Sequence, residues 1–392
     1  MRSKISIFSI LDSPALGGAE QYLLSNLEFL SQQGFNITLA TYNQKIKAEY
    51  QKKFNLINLP YRLDLIGDIK GLIKFFIQAP LAILWLIKVL LKLKNKYQQV
   101  IIYTPGFTER LVFSPFIKLL GLKLAWLEYG PIESVFKHNF GLPKIVYWLV
   151  SFFPDKVITI SNHSQLSMIK HSPVNESKIR VIYPGTPTIT PSLLKKLQTR
   201  GRKWKVQQKL KSKKIISFTG RLASEKEVDV LLKAFSKLKR KNIQLVIIGT
   251  GPEKKIYQNL ANKLKIASRV TFTNFVSESK KNTILAISDI FVFPSAWKME
   301  GFGMTTIEAM MVGTPVISTG AGPQKEIITN EKTGLFFKAR NDIDLSLKIE
   351  KLLSNKQLCK KIATSGRKKA MKEFSQTQML QKTLELIQSL GD

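Results

Sequence analysis

The sequence contains few of the residues that most often build disulfides, metal centres and nucleophilic triads. Its 392 residues include one cysteine, Cys359, and three histidines. A single cysteine excludes a disulfide within the chain and fits a reducing compartment. The histidines are scattered and form neither a Cys/His cluster nor a Ser-His-Asp arrangement. We therefore predict no catalytic metal.

Acidic residues are also scarce. The chain has 27 Asp and Glu against 61 Lys and Arg, which gives a formal net charge of +34. Such a surplus predicts attraction to an anion, which can be nucleic acid, an acidic membrane leaflet or an anionic substrate. No recognisable nucleic-acid-binding motif accompanies the charge, so we do not expect nucleic acid as a partner.

A secretory signal is not visible at the start of the sequence. Residues 4–10 form a short apolar run that turns at once into Asp12-Ser13-Pro14 and a glycine loop. This pattern is typical of a first strand and its turn, not of a signal peptide. We expect a cytoplasmic protein.

The chain alternates short apolar runs with helical patterns, at a length that allows two domains. This alternation predicts an α/β fold with doubly wound parallel sheets, which bind ligands at the carboxyl ends of their strands. The expected strands cover residues 4–10, 35–40, 54–59, 100–103, 122–127, 156–160, 179–182, 214–219, 245–248, 270–273, 290–293 and 314–318.

The most apolar segment covers residues 72–93. Its uncharged run between Lys74 and Lys88 has 13 residues and contains Pro80, which is too short to cross a bilayer. Two interpretations remain open. One is a basic amphipathic helix on an anionic lipid surface. The other is a core helix of the first domain with lysines on its solvent side.

A basic segment, residues 188–214, separates the two halves of the chain. It carries ten Lys or Arg and no acid, together with one proline, Pro191. We expect a linker within it, at residues 196–213. Trp204 lies in this segment, so contact with lipid headgroups is a second interpretation.

The segment most informative about function covers residues 291–337. It predicts a buried strand, a loop broken by Gly301 and Gly303, a helix over residues 304–312 and a second buried strand. Glycines let a backbone approach a ligand closely, and amides at a helix start attract an anion such as diphosphate. Glu300 and Glu308 flank this turn. Ionised carboxylates accept hydrogen bonds from diols, so the pair indicates sugar hydroxyls.

Two further loops place polar groups or glycines after expected strands. GRLASEK brings Arg221 and Lys226 to a helix start, where a guanidinium and an ammonium can hold a diphosphate from two sides. Gly249 follows another strand. The Asp342-Ile343-Asp344 triplet has the Asp-x-Asp spacing of metal-dependent enzymes of a different fold, but it indicates a helix start.

The stretch EGFGMTTIEAMMVGTPVIST, followed by GPQKEII and TGLFF, resembles the donor site of the retaining family 4 glycosyltransferases of the GT-B fold. The resemblance covers nearly the whole chain and is sharpest over residues 219–337. It implies two Rossmann-like domains facing across a cleft. The implied bounds are 1–195 for the acceptor domain, 214–373 for the nucleotide-sugar domain and 374–392 for a helix that crosses back to the first domain.

The resemblance also implies roles for individual residues. A loop like Gly17-Gly18-Ala19-Glu20 holds the donor phosphate or the acceptor, and a histidine after the fifth strand lies near the sugar carbon. Here Glu128 or Tyr129 takes that place, with His138 nearby. The implied catalytic residues are Arg221, Lys226, Glu300 and Glu128. The implied donor-binding residues are Gly17, Gly18, Arg221, Lys226, Gly249, Glu300, Gly301, Phe302, Gly303, Met304, Thr305 and Glu308.

The predicted activity is therefore sugar transfer from a UDP- or GDP-sugar to an acceptor hydroxyl with retention and without a cofactor. The expected acceptor is a glycan or a lipid-linked molecule in polysaccharide or glycolipid assembly. We expect the protein to bind the inner membrane face peripherally. Because the usual histidine is absent, the alternative is a catalytically impaired nucleotide-sugar-binding protein or partner subunit of the same fold.

Overall fold

A computed structural model of the chain describes residues 5–13, 17–63, 69–134, 136 and 141–391. The chain divides into two compact units. The first consists of residues 1–183 and 378–392, and the second of residues 184–377. The chain thus passes between the units at Tyr183–Pro184 and again at Thr377–Gln378.

The first unit contains a seven-stranded, fully parallel sheet in the order β3-β2-β1-β4-β5-β6-β7. In its centre Ile7 pairs with Ile37 on one side and Ile101 on the other. Its strands are β1 (Ile5–Ile10), β2 (Asn36–Thr41), β3 (Asn55–Asn58), β4 (Gln99–Thr104), β5 (Lys123–Glu128), β6 (Lys156–Thr159) and β7 (Ile179–Val181).

Seven helices pack with this sheet, because both faces of a parallel sheet have to be covered. They are α1 (Gly18–Gln32), α2 (Gln44–Tyr50), α3 (Ile69–Lys96), α4 (Phe107–Leu119), α5 (Leu142–Val150), α6 (Asn162–His171) and the last helix of the chain, α15 (Gln376–Gly391). The last of these returns to the first unit, where Gln99 Nε2 donates to the Leu390 carbonyl at 2.9 Å.

The second unit contains a six-stranded parallel sheet in the order β10-β9-β8-β11-β12-β13. Its strands are β8 (Lys214–Thr219), β9 (Ile243–Ile248), β10 (Val270–Phe272), β11 (Ile290–Phe293), β12 (Val316–Ser318) and β13 (Leu335–Phe336). Its helices are α7 (Pro191–Gln207), α8 (Val228–Ser236), α9 (Lys254–Lys263), α10 (Glu278–Leu285), α11 (Met304–Met311), α12 (Gln324–Ile327), α13 (Asp342–Ser354) and α14 (Lys356–Glu373).

The predicted α/β fold with two doubly wound sheets is confirmed. All twelve expected strands are present, with ends that differ by at most two residues from the sequence-based bounds. They are apolar because each unit has its own core, formed by strand and helix side chains together.

The expected linker, in contrast, is wrong. Residues 191–207 form helix α7, which is capped at its N-terminus by Thr190 and belongs to the second unit. The helix packs closely, since a Cβ on Gly201 would lie 2.3 Å from the Ile287 side chain. Trp204 is half-buried against a small apolar cluster, and its contact with lipid headgroups remains a prediction. The segment predicts a linker because its lysines and arginines far outnumber its two buried contact positions, Leu197 and Gly201.

Candidate active site

The carboxyl edge of the second sheet brings several predicted residues together. The strand order reverses between β8 and β11, and the loops that leave these two strands flank a crevice in such a sheet. Arg221 and Lys226 lie in the loop after β8, and Glu300 to Gly303 lie in the loop after β11. Ser295 Oγ donates to the Glu225 carbonyl at 2.7 Å and so joins the two loops.

The central contact of this edge is an ion pair between Lys226 and Glu300. Lys226 Nζ lies 2.9 and 2.6 Å from the two carboxylate oxygens, and the side chains are only 14% and 13% exposed. The ammonium also lies 5.8 Å from the centre of the Phe293 ring, at the end of β11. Two residues predicted to serve separate parts of a donor therefore form one unit at the crevice.

The glycine loop is held in place by a buried glutamine. Gln324 Nε2 donates to the Phe302 carbonyl at 3.1 Å, and its Oε1 accepts hydrogen bonds from Thr306 and Ser318 at 3.0 and 3.3 Å. Gly303 has φ +93°, and a Cβ there would lie 2.0 Å from Gln324 Nε2. Only glycine fits this position, and it aims the first amides of α11, at Met304 and Thr305, out of the loop.

Arg221 occupies the outer rim of the crevice. Its side chain is 68% exposed, and Nη2 lies 2.5 Å from Glu225 Oε1. Burial alone raises the pKa of Glu225, but hydrogen bonds from its own backbone amide and from Arg221 lower it further than burial raises it. The guanidinium thus keeps a carboxylate beside it while most of its surface faces solvent.

Glu308 lies on α11 and keeps one oxygen without a partner. Its Oε1 accepts a hydrogen bond from Lys281 Nζ at 2.7 Å, while Oε2 is buried and has no hydrogen-bond partner among the described residues. Burial raises the pKa of Glu308, and Lys281 opposes that rise. An acceptor atom held in this way is suited to receive a hydroxyl hydrogen bond.

Gly249 serves the packing of the neighbouring loop. A Cβ on this residue would lie 2.0 Å from the Gly220 carbonyl oxygen, and its amide donates to the Asn274 carbonyl at 2.9 Å. The glycine is required because two backbones touch there. Its predicted contact with the donor remains a prediction.

In the first unit, the glycine loop after β1 leads into α1. The Gly17 amide donates to Glu20 Oε2 at 2.7 Å, and a Cβ on Gly18 would meet nothing within 4 Å. The backbone at Gly18 therefore borders open space, which a donor or an acceptor could occupy.

Glu128 does not fill the role expected of the missing histidine. Its carboxylate is buried and accepts hydrogen bonds from Arg110 Nη1 and Nη2 at 2.8 and 3.2 Å and from the Tyr147 hydroxyl at 3.2 Å. Arg110 itself is 2% exposed. The pair joins β5 to α4 and α5, so the geometry favours a structural role over a catalytic one.

Tyr129 is the other residue proposed for that place. Its ring packs edge-on against Tyr22, with centroids 6.0 Å apart. Burial raises the pKa of its hydroxyl well above the ordinary value. Such a hydroxyl stays protonated near neutral pH and can donate a hydrogen bond. His138, the nearby histidine, lies outside the described residues.

Three residues with a role at these edges were missed from the sequence. Gln324 lies within the GPQKEII stretch, Lys281 is one of two lysines on α10, and Glu109 follows β4 in the first turn of α4. Burial raises the pKa of Glu109 to about 7. An acid in the turn after a buried strand is a signal that could have identified Glu109. Nothing in the local pattern identified Lys281.

Within the described residues, no group of three or more His, Cys, Asp or Glu side chains is placed to hold a metal ion. Asp342 and Asp344 open α13, as expected from their pattern. Asp344 Oδ2 accepts the Lys338 amide at 2.8 Å, so this carboxylate supports the turn before the helix.

Two family models match the chain. The model described as Glycosyltransferase Family 4 matches residues 16–189, and the model described as Glycosyl transferases group 1 matches residues 201–369. Between them the matches cover most of both units.

Known proteins resemble the chain at modest identity. The uncharacterized glycosyltransferase MJ1607 of Methanocaldococcus jannaschii is 28% identical over 264 residues, which are 66% of this chain and 66% of that protein, just under two thirds of its length. The capsular polysaccharide biosynthesis glycosyltransferase CapM of Staphylococcus aureus is 24% identical over 365 residues, which are 92% and 91% of the two chains.

Among solved structures, HepE of Anabaena in complex with UDP is similar in fold. It matches with a TM-score of 0.80 at 17% identity, over 98% of this chain and 100% of HepE. At such low identity this likeness concerns the fold.

Proposed function

The chain belongs to the group 1, family 4 glycosyltransferases of the GT-B fold, and from this premise we propose that it moves a sugar from a UDP- or GDP-sugar to an acceptor hydroxyl with retention of configuration. Both UDP-sugars and GDP-sugars remain candidate donors, because the relatives and structural neighbours differ in the nucleotide sugar named with them. HepE is described with UDP-glucose, and a Mycobacterium tuberculosis relative is named a GDP-mannose-dependent mannosyltransferase.

The observation that carries the proposal is the Lys226–Glu300 pair beside the start of α11. A diphosphate in the crevice of the second unit would meet the Lys226 ammonium, the exposed Arg221 guanidinium and the amides of Gly303 to Thr305. Positive groups fixed before the reaction stabilise charge that develops as a leaving group departs, and this is often the largest contribution to catalysis.

The two glutamates then recognise hydroxyls. Glu308 has a buried oxygen with no hydrogen-bond partner in the described part of the chain, which suits one hydroxyl of the ribose diol. Glu300, fixed by Lys226, faces the loop where the transferred sugar would lie. In the reaction the bond between the anomeric carbon and the diphosphate oxygen breaks, with its electron pair on the diphosphate. The acceptor oxygen bonds to that carbon on the face from which the diphosphate departs, and its proton passes to the departing diphosphate oxygen.

The acceptor class is proposed from the names of relatives. CapM is named for capsular polysaccharide biosynthesis, and this supports a glycan or lipid-linked acceptor in polysaccharide or glycolipid assembly.

Donor binding and turnover test the proposal. Purified protein would be screened by thermal shift against UDP-glucose, UDP-galactose, UDP-N-acetylglucosamine and GDP-mannose, and donors that raise the melting temperature would be assayed for hydrolysis or transfer. We expect stabilisation by one donor class and turnover that Arg221→Ala removes. Arg240→Ala is the matched control, because Arg240 also pairs with a glutamate, Glu350, on the same unit but away from the crevice.

A second candidate is a nucleotide-sugar-binding protein without turnover. The Glu128–Arg110 pair favours it, since the Glu128 carboxylate, in the place of the usual histidine, is already paired with a buried guanidinium. Donor stabilisation without hydrolysis or transfer to any acceptor glycan or polyprenyl-phosphate sugar would support this candidate against the enzyme. The anomeric configuration of a product, read by NMR, tests retention.

A further inference from the structure

Helix α3 has an unusual outer face. Its core-facing residues recur at intervals of three and four, as an amphipathic helix requires: Phe75, Ala79, Ala82, Leu86, Leu90 and Leu93. The opposite face of such a helix is ordinarily polar. Here it is apolar along the middle of the helix, with Phe76, Ile77 and Leu84 exposed by 60%, 66% and 64%. Packing within the first unit explains only one side of this helix.

Helix α5 shows the same pattern on a second element. Tyr147 and Val150 are buried, whereas Ile145, Trp148, Leu149 and the following Phe152 are about half exposed or more. Trp148 and Phe152 contact each other edge to face, with ring centroids 5.8 Å apart. A soluble surface rarely gathers so many large apolar side chains on one short helix.

The two helices lie on the same layer. Both α3 and α5 pack on α4, and all three contribute to one core over the same face of the first sheet. Helix α4, between them, has no exposed residue before Leu119. The outer faces of α3 and α5 therefore lie on the same side of the first sheet, and together we call them the α3/α5 surface.

The charged side chains of the two helices all have one sign. Helix α3 contains no acid, and its lysines lie before and after the apolar middle, with Lys70 and Lys74 on one side and Lys88 and Lys92 on the other. Helix α5 contributes Lys144 and no acid. Exposed leucine, phenylalanine and tryptophan among lysines match the interfacial zone of an anionic bilayer, where apolar groups enter the acyl region and ammonium groups meet phosphates.

We propose that the α3/α5 surface docks the protein on an anionic lipid bilayer, with both helices lying in the plane of the interface. The expectation that this segment is too short to cross a bilayer does not hold for the whole helix, because by length and composition α3 could also cross a membrane. The six core-facing residues named above argue against crossing, because a spanning α3 would have to remove them from the core of the first unit. The proposal does not depend on the identity of the donor or on turnover.

Vesicle flotation of the full chain tests the proposal. Phosphatidylcholine vesicles with about 30% phosphatidylglycerol should bind the protein at least about tenfold more tightly than pure phosphatidylcholine vesicles at low salt, because several lysines act together. Two variants remove apolar side chains without touching the core: Phe76→Ser with Ile77→Ser and Leu84→Ser on α3, and Trp148→Ser with Phe152→Ser on α5. Each should weaken binding about tenfold or more while the melting temperature is kept.

The matched control is Ile343→Ser with Leu347→Ser on α13. These side chains are as exposed, at 58% and 62%, but belong to the second unit. Binding should not change. A second measurement uses quenching by brominated lipids. Wild-type tryptophan emission should be quenched on anionic vesicles, and Trp148→Phe should lose most of that quenching.

Three results would overturn the proposal. One is equal binding to both vesicle types, or binding unchanged in the α3 and α5 variants. Another is a lipid-independent dimer in analytical ultracentrifugation that both variants dissociate, since the surface would then be an interface between copies. The third is protein that remains in membranes after alkaline carbonate extraction, which indicates a spanning helix.

Discussion

Each unit has a glutamate paired with a cation at the carboxyl edge of its sheet, and the two pairs differ in what surrounds them. Arg110 and Glu128 are 2% and 9% exposed, and Tyr147 and the rings of Phe107 and Trp126 complete their surroundings. Lys226 and Glu300 lie beside a glycine loop and a helix start. The same kind of ion pair is therefore enclosed in one unit, whereas in the other it lies where we propose that a ligand binds.

The difference teaches that the role of an ion pair depends on its cation and on what surrounds it. Arg110 is planar and makes two hydrogen bonds to Glu128, so the pair is satisfied inside the protein. An ammonium such as Lys226 is a compact charge on a flexible stem that can turn toward an incoming phosphate. Four predictions test this contrast, beginning with the largest expected effect.

Removing the buried carboxylate should destabilise the first unit most. In Glu128→Ala the Arg110 guanidinium is left buried without a counter-charge, so we expect a loss of about 3–5 kcal/mol in the free energy of unfolding. Urea unfolding measures it. Glu350→Ala, which breaks the exposed pair with Arg240, is the control and should cost less than about 1 kcal/mol. Unchanged stability with loss of transfer would restore a catalytic role for Glu128.

Removing the ammonium of the crevice pair should act on turnover more than on stability. Lys226→Met keeps the volume of the side chain but removes the charge that faces the diphosphate, so we expect the rate of transfer to fall about 10²–10³-fold. Lys233→Met, which breaks an exposed pair with Asp229 on α8, is the matched control. A variant that unfolds at much lower temperature but retains its rate would show that the pair is structural in both units.

The first unit should also carry a pH-dependent contribution to stability from Glu109. Burial raises its pKa from 4.5 to about 7, so the native carboxyl keeps a proton that the unfolded chain has lost. Its contribution is complete below pH 4.5 and is lost as the pH rises through about 7, a difference of about 3 kcal/mol.

Urea unfolding of the wild type and Glu109→Gln at pH 5, 6, 7 and 8 measures this contribution. The free energy of unfolding of Glu109→Gln, measured relative to that of the wild type, should rise as the pH increases across the series. A constant difference would contradict a raised pKa.

The two glycine loops should differ in their tolerance of alanine. Gly303→Ala meets Gln324 Nε2 and has φ +93°, so we expect a loss of about 1–3 kcal/mol together with weaker donor binding. Gly18→Ala meets nothing within 4 Å and should leave stability nearly unchanged. Melting temperatures of the two variants check the contrast. Equal shifts in the melting temperature of the two variants would mean that Gln324 does not fix the loop after β11.

Much of the fold could be predicted because local patterns and tertiary structure agree. Strands of a parallel sheet are covered on both faces, so they are continuous apolar runs such as residues 214–219, which form β8. The loop from Glu300 to Gly303 was visible for a similar reason, since a backbone with positive φ at a helix start calls for glycine.

Other features could not be predicted because they depend on distant partners. Glu128 is separated from Arg110 by 18 residues, and Glu308 from Lys281 by 27. The sequence predicts a linker at helix α7, because the residues that the helix contacts, such as Ile287, are far along the chain and do not show in its local pattern. No local pattern shows which carboxylate another element will neutralise.

The sequence by itself determined the alternation of strands and helices, the placement of glycines at the turn after β11 and the excess of positive charge, since these depend on backbone sterics and composition. Only the tertiary structure decided that Glu300 meets Lys226 while Glu128 is enclosed with Arg110. It also decided that the apolar side of α3 opposite the core remains exposed. The physical reason is that burial and ion pairing are properties of packed surfaces, which form only when elements far apart in the chain come together.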